Sequence, residues 1–176
     1  MYRVLVIEDK PGEADRLRQM ISEYGEDRDL EFQVVWARTA VELPEERRAF
    51  DLIFMDIGLP GINGMEAAEM LRTFDSETPL IFVTDLAQYA VKGYQVDALD
   101  FIIKPVQYYD FALRMDRAMR FVKRNDRGRL SIMTREGIRI FSLSDLVYVD
   151  VLDHNLNYHL AGGETLSLRG SLSKVG

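Results

Sequence analysis

The chain contains no cysteine, which removes disulfide frameworks, thiolate nucleophiles and thiolate-bound metals from consideration. Its only two histidines, His154 and His159, fall on an expected turn and strand and make no zinc-site spacing, so no zinc is expected. No apolar stretch approaches the length that crosses a bilayer. Met1 runs almost directly into the apolar stretch 4–7 without a charged and hydrophobic leader. These absences point to a cytoplasmic protein with no membrane partner. What is present is 176 residues at 47% hydrophobic content, enough for one core with room for a second small unit. The net charge of −7 argues against nucleic-acid binding until it is divided along the chain. Residues 1–127 carry 17 basic against 24 acidic side chains, whereas residues 128–176 carry 5 against 5.

Short apolar runs rich in β-branched residues recur at 3–7, 32–36, 52–55, 80–83 and 101–103, each with the pattern of a buried strand. Between them lie helical spacings: Ala14, Leu17, Met20 and Ile21; then Met65, Ala68, Leu71 and Phe74; then Phe111, Met115, Ala118, Met119 and Val122. Alternating strand and helix predicts an α/β fold, a doubly wound five-stranded parallel sheet closed by an amphipathic helix over 108–123. A helix over 39–48 is also expected, although Pro44 falls inside it. The stretch 125–129 has charge and a glycine but no apolar face, which marks a linker between a domain at 1–124 and a second segment at 130–176. In that segment the period shortens. Runs at 130–134, 138–141, 146–151, 155–160 and 164–168, separated by turn residues, predict a small all-β unit. Ser171-Leu172-Ser173-Lys174 then reads as a helix start.

In open α/β sheets the functional crevice lies beyond the carboxyl ends of the strands. The first strand is followed there by Glu8 and Asp9, the third by Asp56, the fourth by Thr84 and the last by Lys104 and Pro105. Three clustered carboxylates repel one another, and a hard divalent cation with oxygen ligands resolves the conflict. A site of this kind suits phosphoryl transfer, which asks for positioning and charge neutralisation more than for acid or base groups. Lys104 supplies a second positive charge, and Thr84 a hydrogen bond to a phosphoryl oxygen once Asp56 is modified.

Asp56-Ile57-Gly58-Leu59-Pro60-Gly61 with Gly64, and Ala98-Leu99-Asp100-Phe101-Ile102-Ile103-Lys104-Pro105, resemble the receiver domain of bacterial response regulators, a flavodoxin-like fold. The resemblance covers residues 1 to 124. It implies phosphoryl transfer from a sensor histidine kinase to Asp56, with Mg²⁺ held by Glu8, Asp9, Asp56 and the Gly58 carbonyl. It also implies a switch role for Phe101 beside Thr84, a cis Lys104-Pro105 bond, and catalysis by the chain of nothing beyond its own phosphorylation and dephosphorylation. Residues 130–176 resemble the opening strands of the LytTR-type DNA-binding domain, through Leu130-Ser131-Ile132-Met133-Thr134, Asp145-Leu146-Val147-Tyr148-Val149 and 166–172, with much of the family pattern expected after Gly176. DNA is then a partner, and His154 and Asn155 are the residues placed to reach it. A plain polar turn is the rival reading of those two.

Three positions depart from the usual receiver pattern: Lys10 after the acidic pair, Asp85 after Thr84, and Gly58, which has no side chain to shield a phosphoryl group. Arg114, Arg117, Arg120, Lys123, Arg124 and Arg127 suggest either a solvated helix face or a homodimer face. Gln88, Tyr89, Val91, Lys92 and Tyr94 lie in the region receivers use for partner docking. Two other functions compete with a transcription regulator: a phospho-switched regulator whose output is protein binding, and an aspartyl-phosphate hydrolase. The hydrolase is disfavoured, since such enzymes usually have an acid where Gly58 stands.

Overall fold

The structure, a computed structural model, describes residues 1–42, 50–126, 129–134 and 137–169. It divides into two compact units, Met1–Val122 and Lys123–Gly176.

The first unit contains strands β1 (Tyr2–Ile7), β2 (Phe32–Ala37), β3 (Leu52–Met55), β4 (Leu80–Thr84) and β5 (Asp100–Ile103). They pair in parallel in the order β2-β1-β3-β4-β5. Every residue of β3 and β4 is buried, which is why these runs are apolar without alternation. β1 divides its side chains between two cores: Val4 and Val6 meet helices α1 (Pro11–Arg28) and α3 (Tyr108–Asp126), while Leu5 and Ile7 face the side of α2 (Gly64–Arg72). On the first side Leu17, Met20, Ile21 and Tyr24 of α1 pack with Phe111, Met115 and Ala118 of α3, and the Phe54 and Phe111 rings stack with centroids 5.6 Å apart. On the other, Met65, Ala67, Ala68 and Leu71 of α2 close the core.

Local signals set the helix ends. Pro11 opens α1, where its missing N–H costs nothing, and Asp29 ends the helix in the left-handed region at φ 53°. Asn63 and Glu66 form a reciprocal capping box at the start of α2. Of the helix expected over 39–48, residues 43–48 lie outside the described residues, and Ala40–Glu42 form a single 3-10 turn. Between β4 and β5 the chain makes two short 3-10 helices, Ala87–Tyr89 and Lys92–Val96. Helix α3 continues to Asp126, into the stretch expected as linker, because its polar last turn still follows an apolar face ending at Val122.

The second unit is antiparallel β. A hairpin of β6 (Arg129–Thr134) and β7 (Gly137–Ser142) lies in one sheet, and β8 (Leu146–Leu152), β9 (Asn155–Leu160) and β10 (Thr165–Arg169) form another in the order β10-β9-β8. Ile132, Leu156 and Tyr158 are its buried centre, with Leu130, Phe141, Val149, Leu166 and Leu168 around them. Asp153 and His154, both at positive φ (50° and 63°), make the two-residue turn between β8 and β9. Residues 171–174, where a helix start is expected, lie outside the described residues. Among the described residues no helix is long and apolar enough to cross a membrane.

Candidate phospho-acceptor site

The strand order reverses direction at β1 and β3, and parallel pairing of their ends places Glu8 and Asp9 beside Asp56. One carboxylate oxygen from each of the three lies within 4.8 Å of the others. β4 contributes Thr84, which is fully buried, and β5 delivers Lys104 just before the cis Lys104-Pro105 bond. All five side chains expected at the sheet edge therefore converge.

The cluster is an ordered network. Lys104 Nζ donates to Glu8 Oε2 at 2.6 Å and to Asp56 Oδ2 at 3.0 Å. The Gly58 amide donates to Asp56 Oδ1 at 3.1 Å, and the Lys10 amide to Glu8 Oε1 at 3.0 Å. Thr84 Oγ1 accepts from the Leu86 amide at 3.3 Å. Burial pushes the Asp56 carboxyl up, but Thr84, Lys104 and the Gly58 amide outweigh it and hold the group below its ordinary range. Burial dominates at Glu8, which stays raised despite Lys104 and the Lys10 amide. At Lys104 burial pushes down, and the hydrogen bonds to Glu8 and Asp56 prevail and raise it.

Asp9 differs from its neighbours. Its Oδ1 is buried and has no hydrogen-bond partner, whereas both Glu8 oxygens are engaged by Lys104 and Lys10. An orphaned carboxylate oxygen beside two further acids and one ammonium is a donor set that fits a hard cation such as Mg²⁺. Asp9→Asn is accordingly expected to raise the stability of the metal-free protein by about 1 kcal/mol, through relief of like-charge repulsion. The same change should weaken Mg²⁺ binding at least about tenfold. Thermal unfolding with and without Mg²⁺ measures both, and a lower midpoint for the metal-free variant would contradict the charge argument.

Sequence reasoning missed the Trp36 indole, which donates to the Glu8 carbonyl at 2.8 Å and so fixes the backbone that carries the acidic pair. Its one signal was the chain's only tryptophan, one residue from the end of β2. Phe101 lies on β5 with its ring 6.0 Å from that of Phe82, on the α2 side of the sheet. Asp85 and Lys10 are exposed. Tyr89 is half-buried beneath Lys92, whereas Tyr94 is open to solvent. Of the basic row on α3, Arg114 and Arg117 pair with Asp100 at 3.7 and 3.2 Å, and Arg114 also bonds Asp110. Arg127 lies outside the described residues. In the second unit His154 is exposed at the turn, and the Asn155 amide reaches the Asp153 carbonyl at 3.4 Å. The sheet face behind them carries a polar ladder in which Asp150 bonds both Asn157 (2.7 Å) and His159 (2.9 Å).

Residues 4–115 match the family model described as the response regulator receiver domain. Over 170 residues the chain is 28% identical to the sensory transduction protein LytT of Bacillus anthracis, covering 87% of this chain and 67% of that protein. It is 26% identical over 178 residues to the positive alginate biosynthesis regulatory protein of Pseudomonas aeruginosa, covering 93% and 71%. Among solved structures, the non-phosphorylated HemR receiver domain from Leptospira biflexa superposes with a TM-score of 0.57 at 31% identity, covering 68% of this chain and 94% of that domain.

Proposed function

Because this chain belongs to the response regulator receiver domain family, and is a two-component response regulator rather than a classical enzyme, we propose that Asp56 accepts a phosphoryl group from a sensor histidine kinase. The observation that carries the reading is the state of Asp56. It is buried, yet held ionised between Lys104 Nζ at 3.0 Å and the Gly58 amide at 3.1 Å. A carboxylate so held is a nucleophile at neutral pH with no base to wait for. Its oxygen attacks phosphorus, the bond from phosphorus to the donor nitrogen breaks, and an acyl phosphate forms on Asp56. Lys104 stays beside the added negative charge, and the Thr84 hydroxyl donates to a phosphoryl oxygen. Asp9, Asp56 and Glu8, with the Gly58 carbonyl, would hold Mg²⁺, which would supply charge neutralisation for the transferring group. Water attack on the acyl phosphate reverses the modification, and Gly58 presents no side chain to obstruct it.

Phosphorylation controls an output in residues 130–176, the N-terminal part of a LytTR-type DNA-binding domain joined through 125–129. Support comes from the relatives named above, whose similarity runs past the receiver unit into the β unit. DNA contact falls to the β8–β9 turn at His154 and Asn155. A cytoplasmic location follows from the kinase partner. The balanced charge of 128–176 keeps protein binding as a second output. Salt-dependent DNA association by the whole chain separates the two.

Mass spectrometry after incubation with acetyl phosphate tests the acceptor. The wild type gains one phosphoryl group only when Mg²⁺ is present, and Asp56→Asn gains none. Modification surviving in Asp56→Asn would place the acceptor elsewhere.

A further inference from the structure

Residues 85–99 cross from β4 to β5 without an α-helix, and the second of their two 3-10 helices, Lys92–Val96, buries only Gly93 and Val96. Hydrogen bonds of this type have poorer geometry than those of an α-helix, and segments with few buried contacts open at low cost. Val91 and Tyr94 stand 78% and 82% exposed on this segment. Two anchors hold it from outside. One is the pair of rings beneath Gly93: a Cβ there would lie 3.8 Å from Phe101 Cδ2 and 3.9 Å from Phe82 Cδ2. The other is Arg72, the last residue of α2.

Arg72 spends its guanidinium on four backbone carbonyls. Its Nε donates to Val96 at 2.8 Å and Nη2 to Asp97 at 3.3 Å, while Nη1 donates to Asp75 and Thr78, both at 3.0 Å. The Val96 and Asp97 carbonyls end the 3-10 helix, where backbone acceptors lack partners of their own. The opposite end of α2 is locked to the Asp56 loop: the Gly64 amide donates to the Ile57 carbonyl at 2.9 Å, and a Cβ at Gly64 would stand 2.1 Å from the Asp56 carbonyl oxygen. One short helix thus spans from the Asp56 loop to the exposed turn.

We propose that Arg72 is a positioning residue of the switch, tying the Lys92–Val96 turn through α2 to the Asp56 loop so that the Val91–Tyr94 surface follows the state of Asp56. This rests on the acceptor reading of Asp56 and adds a second route beside Phe101. Spatial connection by itself does not establish coupling, so the test is a state-dependent difference. Hydrogen exchange over residues 91–97 is compared with and without Mg²⁺ and beryllium fluoride in the wild type, Arg72→Gln and Arg72→Lys, with fluoride binding followed by fluorine NMR.

In the wild type, exchange in this segment shifts by about fivefold or more on beryllium fluoride binding, the lower range of allosteric coupling. Arg72→Gln binds beryllium fluoride yet loses that shift, and Arg72→Lys, which retains the charge but not the fork, keeps part of it. An arginine with a merely structural role would speed exchange equally in both states, and a wild-type shift retained in Arg72→Gln overturns the proposal. If Arg72→Gln does not fold, the same comparison is made on Arg72→Lys, where an undiminished shift overturns it. A wild type that binds beryllium fluoride without any shift at 91–97 removes this proposal alone. One that binds none removes the acceptor reading and the proposal together.

Discussion

Lys104→Met is expected to destabilise the first unit by about 3–5 kcal/mol at neutral pH, because it leaves buried carboxylates without their counter-charge. Glu8 and Asp56 are 1% and 3% exposed, and the Lys104 ammonium bridges them. Methionine preserves most of the volume, so the loss is electrostatic. Its pH dependence identifies it. The Lys104 pKa is raised in the folded protein, so its stabilisation is complete below the ordinary lysine value and disappears only as pH rises through the folded one. Asp56 is lowered, so its contribution is present above the ordinary carboxylate value and is lost as pH falls through the folded one. Without Lys104, burial pushes Glu8 further up, and Asp56 loses one of the interactions that hold it down. The variant therefore keeps its stability in acid, where these carboxyls are protonated, and loses it as pH rises through the carboxylate range. The gap between wild type and variant should open from acid to neutral pH in thermal or urea unfolding. Mg²⁺ at 100 times its dissociation constant should return about 2.7 kcal/mol. A gap of equal size at all pH values would show that packing, not charge, had been removed.

The parts of this arrangement that were legible in the sequence share a physical cause. β3 is expected and found at 52–55 because a strand buried on both faces must be apolar throughout. The site residues stand directly after such runs, so locating the strands locates the crevice. Contacts that depend on backbone groups leave no such trace. Arg72 looks like an ordinary basic residue in the last turn of an amphipathic helix, and nothing in the residue types at 96 and 97 marks their carbonyls as its partners. The 3-10 character of 87–89 and 92–96 was hidden for a related reason: Val91 and Tyr94 are exposed to solvent, so apolar residues there follow no core-facing period. The hold of Trp36 on the Glu8 carbonyl runs from side chain to backbone, 28 positions apart in the chain.

Gly64→Ala carries the second large effect, and Gly12→Ala is its control. A Cβ at position 64 would stand 2.1 Å from the Asp56 carbonyl oxygen and 2.7 Å from the Ile57 Cα. Both obstacles are backbone, so no rotamer change relieves the clash. The first turn of α2 and the loop after Asp56 must separate, at the cost of the hydrogen bond from the Gly64 amide to Ile57. The expected loss is more than about 3 kcal/mol, or roughly 10 °C in the thermal midpoint. Gly12 also lies in a helix, α1, but a Cβ there meets nothing within 4 Å. With no contact to break, alanine acts chiefly by restricting the unfolded chain, and Gly12→Ala should raise stability by about 0.5 kcal/mol. Opposite signs for the same chemical change separate close approach from helix propensity, since propensity alone favours alanine at both positions. The loop that α2 would push aside carries Asp56 and Gly58, so Gly64→Ala protein kept below its melting point should also take up phosphoryl groups from acetyl phosphate more slowly than the wild type. A destabilised variant with an unchanged phosphorylation rate would mean that the Asp56 carboxylate is held by Lys104 independently of the helix behind it.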